Sequence, residues 1–207
     1  YANTNSKANA ESVGAFSVGL ATIGNLYAEA VSCDYTVAYI SGAEIHASSV
    51  VIDAKGNTIC RTYSGVPGSV SFVDDNKAQG VAAIGSSDGS EQNTVKAYVG
   101  NNASITTSGK VSISAYNAGD VQMMLKKTVN VNAVHLSDAS LKSYAYLVSD
   151  ASVYEGAIVT TTTKSGDVEI YAHDYLHEYE RLGGTNVSIL GSSEKSYAEN
   201  NGNQKVT

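Results

Sequence analysis

Apolar and polar residues alternate along several stretches of the chain, most clearly over residues 109–116. There Val111, Ile113 and Ala115 fall on one side of the alternation, and lysine, serine and tyrosine fall on the other. Successive side chains of a β-strand point to opposite faces, so this period of two predicts a strand with one buried face. No long stretch sustains the period of 3.6 residues that is typical of a helix.

Three short motifs recur three times in the same order: alanine-tyrosine-aliphatic, alanine-x-aliphatic and valine-x-isoleucine-x-alanine. The copies cover residues 38–54, 97–115 and 145–172. The first motifs are Ala38-Tyr39-Ile40, Ala97-Tyr98-Val99 and Ala145-Tyr146-Leu147, the second begin at Ala43, Ala103 and Ala151, and the third begin at Val50, Val111 and Val168. Self-similarity of this kind is typical of solenoids, propellers and repeat arrays.

The repeat predicts an all-β parallel solenoid that spans residues 1–207 as one segment without a domain boundary. We expect two or three coils in each repeat, and Val111, Ile113 and Ala115 inside the solenoid in parallel ladders. The copies differ in length, and we assign the extra residues of the third copy to 154–163, because insertions normally lie in loops. The alternative fold is a pair of β-sandwiches, although sandwiches seldom repeat three ordered motifs.

Composition narrows the class of partner. The 207 residues carry a formal net charge of −7, and Arg61 and Arg181 are the two arginines. Without a basic run, the sequence argues against a nucleic-acid partner. No stretch has the length and apolar character of a membrane-spanning helix. The chain begins at Tyr1 without a signal peptide, so we expect an internal segment of a longer chain, with solenoid repeats on either side.

The run from Gly80 to Asn117 resembles the repeats of very large bacterial secreted adhesins, the filamentous-haemagglutinin-like and leukotoxin-like exoproteins. The matching residues are Asn93-Thr94, Ala97–Gly100, Ala103-Ser104-Ile105 and Gly109–Ala115. The other copies depart from the pattern, with Ser41 and Val148 where it has glycine. The resemblance implies a solenoid located outside the cell or on the bacterial surface. It also implies a structural and adhesive role, with no catalytic residues and no cofactor.

Exposed aromatic residues are the candidate binding surface. We expect five tyrosines to point outward and to be available to a glycan or a host protein: Tyr39, Tyr98, Tyr146, Tyr171 and Tyr175. A tyrosine ring offers a sugar both a flat apolar face and a hydroxyl. The alternative, which we favour, is that these rings stack on neighbouring strands as packing.

Two other groups of residues are weaker candidates for metal binding. His173 and His177 could share a metal on a helix, but on a strand they lie about 13 Å apart. The alternation that precedes them favours a strand, so we expect no metal there. Asp74-Asp75 and the loop Ser86–Glu91 could bind calcium through oxygen ligands, although a solvated turn is the simpler interpretation.

The alternative function is either that of a β-helix enzyme that degrades polysaccharides or that of a tailspike-like glycan-binding protein. Such enzymes need paired carboxylates or a base beside a cationic clamp, and two arginines leave little for a clamp. Asp74 and Asp75 are adjacent, so they would point to opposite faces of a strand. We therefore expect a protein that is not an enzyme.

Cys33 and Cys60 are the two cysteines of the chain. If their separation in sequence is one coil, the two would lie about 4.8 Å apart, within reach of a disulfide. A disulfide between them is one interpretation, and two free thiols packed as small apolar residues is the other.

Overall fold

The alternating segments form long parallel strands. The computed structural model describes residues 1–66, 68–127, 130–183 and 186–206, and within these ranges there are strands and no helix. The strands are β1 (Ala2–Val13), β2 (Ser17–Ser32), β3 (Tyr35–Ile40), β4 (Glu44–Ala47), β5 (Val50–Val66), β6 (Ser69–Ile84), β7 (Asn93–Val99), β8 (Ser104–Thr107), β9 (Val111–Lys127), β10 (Asn130–Val153), β11 (Ile158–Thr161), β12 (Val168–Gly183) and β13 (Asn186–Val206).

These strands wind into four stacked coils. Coil 1 is β1–β4, coil 2 is β5–β8, coil 3 is β9–β11, and coil 4 is β12 and β13. The first sheet has the order β1-β5-β9-β12, the second contains β2, β6, β10, β7 and β3 with β13 beside β10, and the third has the order β11-β8-β4. Every strand pair is parallel, which confirms the predicted parallel solenoid.

The second copy of the valine-x-isoleucine-x-alanine motif lies inside the solenoid, as predicted, whereas Val168 and Ile170 of the third copy, on the edge strand β12, are 45% and 50% exposed. Val111, Ile113 and Ala115 have no exposed surface. Each pairs with its counterpart in coil 2 and in coil 4, so Ile113 lies in register between Ile52 and Ile170. Stacking like residues along the axis buries a continuous apolar column, and a pair of antiparallel sandwiches would not bring these residues together.

Each repeat is one coil, and the prediction of two or three coils per repeat is wrong. Val50 pairs directly with Val111, and Val111 pairs directly with Val168, so one full repeat of the sequence separates residues that stack on each other. The coil is long because β5 is a strand of 17 residues that continues well beyond the apolar motif at its start. Its later inward positions include Thr58 and Thr62, and such small and polar residues hide the alternation from a hydrophobic pattern.

The structure aligns the third repeat copy with the second copy differently from the sequence motifs. Ala97-Tyr98-Val99 pairs with Ala151-Ser152-Val153 instead of with Ala145-Tyr146-Leu147, and Ser104 pairs with Ile158. Tyr146 takes the place that the loop of residues 85–92 occupies in coil 2, which shortens coil 3 before the motif. The extra residues lie between β11 and β12, at 162–167, so their assignment to 154–163 is wrong in part.

The interior contains two apolar clusters separated by polar side chains. One cluster is centred on Ile105 and Ile113, and the other on Met123 and Leu141. Between them, hydroxyl, amide and carboxyl groups from successive coils form a polar ladder along the axis: Ser6, Asp34, Thr58, Asn93, Asn117, Ser149 and Asp174. Each residue of this ladder is hydrogen-bonded to another member of it, which offsets the cost of removing these groups from water.

Asparagine pairing is the centre of the polar ladder. Asn93 Nδ2 donates to Asn117 Oδ1 at 2.9 Å, and Asn117 Nδ2 donates to the Asn93 carbonyl at 2.8 Å. Both residues are fully buried. The two side chains therefore satisfy each other across the interior of the solenoid.

In coil 4, two acidic side chains point toward the solenoid axis. Glu178 and Glu180 occupy inward positions that are in register with Val121 and Met123 of coil 3. Burial raises the pKa of Glu178, and the negative charge of Glu180 raises it further. The protonated form of Glu178 is thus favoured by folding.

Replacing Glu178 by glutamine is expected to raise the melting temperature at pH 7 and to leave it unchanged near pH 4. Because the folded-state pKa is raised, the stabilisation by the protonated acid is present below the ordinary glutamate pKa of about 4.3 and is lost as pH rises through the folded pKa. Thermal melts of both proteins across this pH range test the effect. The exposed Glu155 is a matched control, and a pH-independent difference for Glu178→Gln would contradict this assignment.

Candidate ligand-binding surface

Tyr39 and Tyr98 form part of an exposed column of aromatic rings. Ala97 and Val99 are fully buried, so Tyr98 between them points outward, as predicted. Its ring stacks on Tyr39, with centroids 5.2 Å apart, and on Tyr154, with centroids 4.7 Å apart. The expected packing across strands is therefore present. Tyr39 keeps 60% of its surface exposed, so the outer end of the column is open to a partner.

Tyr146 lies outside this column, because coil 3 places it beside the loop of residues 85–92. A Cβ atom on Gly89 would come within 3.1 Å of the Tyr146 ring, and Gly89 has a φ of +75°. Glycine is therefore required at Gly89, both for close approach to the ring and for the left-handed backbone.

The loop that covers Tyr146 is a closed turn. Ser86 Oγ and Ser90 Oγ each donate to Asp88 Oδ1 at 2.6 Å, and the Ser90 amide donates to it at 3.0 Å. These hydrogen bonds lower the pKa of Asp88. The carboxylate is engaged by its own loop, in the manner of the solvated turn that the sequence favours over a calcium site.

Tyr171 and Tyr175 lie on the outer face of the first sheet, on β12. His173 and His177 share that face, and the strand confirms that they are not one helical turn apart. His173 stacks on Tyr116, and His177 Nδ1 lies 2.9 Å from an oxygen of the Asp120 carboxylate. Across the described part of the chain, no group of three or more His, Cys, Asp or Glu residues is arranged to hold a metal.

Asp74 and Asp75 point to opposite faces, as their adjacency predicts. Asp74 is fully buried and accepts hydrogen bonds from Asn76 Nδ2 and Asn132 Nδ2, while Asp75 is partly exposed. The two carboxylates cannot act together on one substrate, because the strand lies between them.

The structure contradicts the disulfide interpretation. Cys33 and Cys60 are free cysteines, one exposed and one buried. Cys33 Sγ contacts the Gln92 carbonyl, whereas Cys60 Sγ contacts the Ala83 carbonyl. The physical reason is coil length: the separation of the two cysteines is only about half a coil, so Cys60 stacks on Val121 instead.

One thiol is expected to react in the folded protein, and two after unfolding. Burial raises the pKa of Cys60 to about 12, so its reactive thiolate is absent until the fold opens. Burial also raises the pKa of the exposed Cys33, which should react more slowly than a free thiol. Titration with a coloured disulfide reagent, with and without denaturant, counts both groups. If the unfolded protein needs a reductant before any thiol reacts, the cysteines are bonded.

The outer face of the first sheet also contains a groove that the predicted tyrosines do not include. It has a volume of about 460 Å³ and is bordered by two rows of side chains. One row is Asn9, Arg61, Gln122 and Tyr179, and the other is Glu11, Tyr63 and Met124, continued in register by Arg181. We call this feature the axial groove, since it crosses all four coils along the solenoid axis.

Arg61 is the cation among the described residues that line the axial groove. Its Nη2 atom lies 3.8 Å from Asp120 Oδ2, too far for a good hydrogen bond. That carboxylate already accepts a 2.7 Å bond from Gln122 Nε2 and lies against His177. Arg61 Nε is buried with no hydrogen-bond partner among the described residues. The guanidinium therefore retains donors for a ligand.

Sequence reasoning missed the axial groove because its residues share no motif. The signal was the coil spacing, because the interval that separates Val50 from Val111 also separates Arg61 from Gln122. Applying the spacing of the apolar motifs to polar outward positions would have aligned Arg61, Gln122 and Tyr179 of the first row, but not Asn9, since no copy of the motif lies on β1.

Comparison of the chain with protein-family models, with curated proteins and with solved structures finds no match. Among the described residues there is also no helix that is long and apolar enough to span a membrane.

Proposed function

We propose that this chain is a structural and adhesive segment of a bacterial surface-exposed or secreted exoprotein. Its parallel coils build a stiff rod, and its outward side chains bind a glycan or a protein on a host or another cell. Flanking solenoid repeats of the same chain are the neighbours expected along the axis, because each coil of a solenoid packs only on adjacent coils.

The observation that carries this proposal is the column of exposed, stacked rings formed by Tyr39, Tyr98 and Tyr154. Aromatic residues on a surface present a large apolar area at low entropic cost, which is why they are enriched where proteins bind partners. Stacking across coils holds these rings in fixed positions before a partner arrives, which lowers the entropic cost of binding.

An enzyme that cleaves polysaccharides has weaker support. Glycoside hydrolysis uses two carboxyl groups that flank the scissile bond. Of the described residues that line the axial groove, Glu11 is the one with a carboxylate.

Adhesion of beads coated with the folded segment to epithelial cell layers tests the proposal. Saturable retention, inhibited by soluble segment and absent for beads coated with heat-unfolded protein, is the expected result. A parallel assay for reducing ends should find no release from a panel of polysaccharides. Retention no greater than that of the unfolded control, or catalytic release of sugar, would contradict the proposed function.

A further inference from the structure

We infer that the axial groove binds an acidic oligosaccharide, with a sugar carboxylate held by Arg61 and Arg181 and the rings against Tyr63, Met124 and Tyr179. This inference rests on the proposed adhesive function and specifies one ligand class and one place for it.

The shape of the axial groove suits a short chain that lies across the strands. Its two rows are two residues apart on each strand, about 7 Å, and four coils span about 14 Å along the axis. The strands of its floor already pair with neighbours on both sides in β5 and β9, so their backbone groups are not available to an added peptide strand. A ligand must therefore be recognised by side chains.

The axial groove is less negative than the molecule as a whole. The chain carries a net charge of −7, yet both of its arginines lie on these two rows. Arg61 lies on coil 2 and Arg181 on coil 4, so Gln122 and Met124 of coil 3 lie between them. Glu11, on coil 1, is at the far end from Arg181. Asp120 of coil 3 lies 3.8 Å from Arg61 Nη2, on the side of Gln122 away from Met124. An anionic group is thus favoured over Met124, between the two arginines, and disfavoured beside Asp120 and over coil 1.

Arginine is the side chain suited to a carboxylate, because its planar fork donates two parallel hydrogen bonds. The Arg61 side chain is 41% exposed, whereas its Nε atom is buried. A carboxylate in the axial groove would therefore accept from the terminal guanidinium nitrogens, of which Nη2 lies 3.8 Å from Asp120 Oδ2 and makes no good hydrogen bond to it. These charged hydrogen bonds favour an acidic ligand over a neutral one of the same shape.

The remaining border of the axial groove is aromatic and apolar. Tyr179 and Met124 are 44% and 37% exposed, and Tyr63 is half-buried. Tyrosine rings contact the apolar face of a sugar ring while their hydroxyls bond to its polar edge. An arginine beside two tyrosines and a thioether therefore fits a carboxylated sugar better than a free inorganic anion, which would use none of the apolar surface.

Calorimetric titration of the folded protein with trigalacturonate tests the inference, with a neutral galactose trisaccharide and triglutamate as comparison probes. Trigalacturonate should bind, and the other two probes should bind at least tenfold more weakly. Arg61→Gln should weaken trigalacturonate binding about tenfold or more, because it removes charged hydrogen bonds. Lys96→Gln, which removes one charge from the second sheet and not from the groove, should change binding less than twofold.

Several results would overturn the inference: no binding of trigalacturonate, equal binding of the neutral trisaccharide, equal binding of triglutamate, or an unchanged affinity in Arg61→Gln with a native circular dichroism spectrum. Tyr179→Ser, on the edge of the axial groove, provides a second variant should Arg61→Gln fail to fold. Bead adhesion separates the two proposals. Adhesion without trigalacturonate binding overturns the axial groove as the site, whereas loss of all adhesion overturns the proposed function.

Discussion

Replacing Ile113 by alanine is expected to lower the free energy of unfolding by about 3 kcal/mol. Ile113 is fully buried in register between Ile52 and Ile170, so the substitution opens a cavity shared by three coils. Packed interiors relax only partly around such a loss, and the missing contacts add to the lost transfer free energy. Urea unfolding followed by circular dichroism measures the change.

Ile158→Ala is the matched control for this prediction. It removes the same atoms from the third sheet, but Ile158 is 60% exposed, so the cost should stay within about 0.5 kcal/mol. Similar losses for the two variants would show that Ile113 is not a core residue of stacked coils.

Replacing Asn117 by alanine is expected to lower the free energy of unfolding by about 2–3 kcal/mol, although Asn117 lies on no apolar column. The change removes two hydrogen bonds between Asn93 and Asn117, one to the Asn117 side-chain oxygen at 2.9 Å and one to the Asn93 carbonyl at 2.8 Å, in the buried interior. An unsatisfied buried polar group costs more than the hydrogen bond it replaces.

The same unfolding experiment measures the Asn117 variant. Asn101→Ala in the exposed turn after β7 is its control, and we expect a change within about 0.5 kcal/mol. If Asn117→Ala were as mild as Asn101→Ala, the polar ladder would contribute nothing to the stacking of the coils.

The parallel fold could be predicted because some inward positions are strongly apolar. Val111, Ile113 and Ala115 recur in three copies, and Ala38-Tyr39-Ile40 aligns with Ala97-Tyr98-Val99 in the structure as in the sequence. Repetition in a fixed order implies equivalent environments, and only stacked coils give each copy the same neighbours.

The coil length could not be predicted because small and polar residues line part of the interior of each coil. Thr58 and Asn117 point inward without an apolar signal, since the polar ladder satisfies them across coils. The missing apolar signal also led to the disulfide interpretation for Cys33 and Cys60, which assumed a coil of about half the actual length. Tyr146 caused a second error. Its sequence fits the alanine-tyrosine-aliphatic motif, but the structure places it opposite the loop of residues 85–92 in coil 2.

The candidate site could be predicted in part. Tyr39, Tyr98, Tyr171 and Tyr175 are on the outside, but they fall on two different faces, so they do not form one surface. Tyr154 and the axial groove were missed, because their residues belong to no repeated motif. The offset between coils also changes, as between Asn9 and Arg61 and between Arg61 and Gln122. Only the register between coils assembles these side chains.

Paired nitroxide labels on the first sheet test the parallel stacking of long coils most directly. In a background without Cys33 and Cys60, one protein carries labels at Asn57 and Ala118, and another carries them at Val51 and Ser112. Both pairs are in register across β5 and β9, with backbones about 4.8 Å apart. Strong dipolar broadening of the electron paramagnetic resonance spectrum is expected for both pairs. An antiparallel arrangement that brings one pair together would separate the other by about 40 Å, so broadening in only one protein would contradict the solenoid.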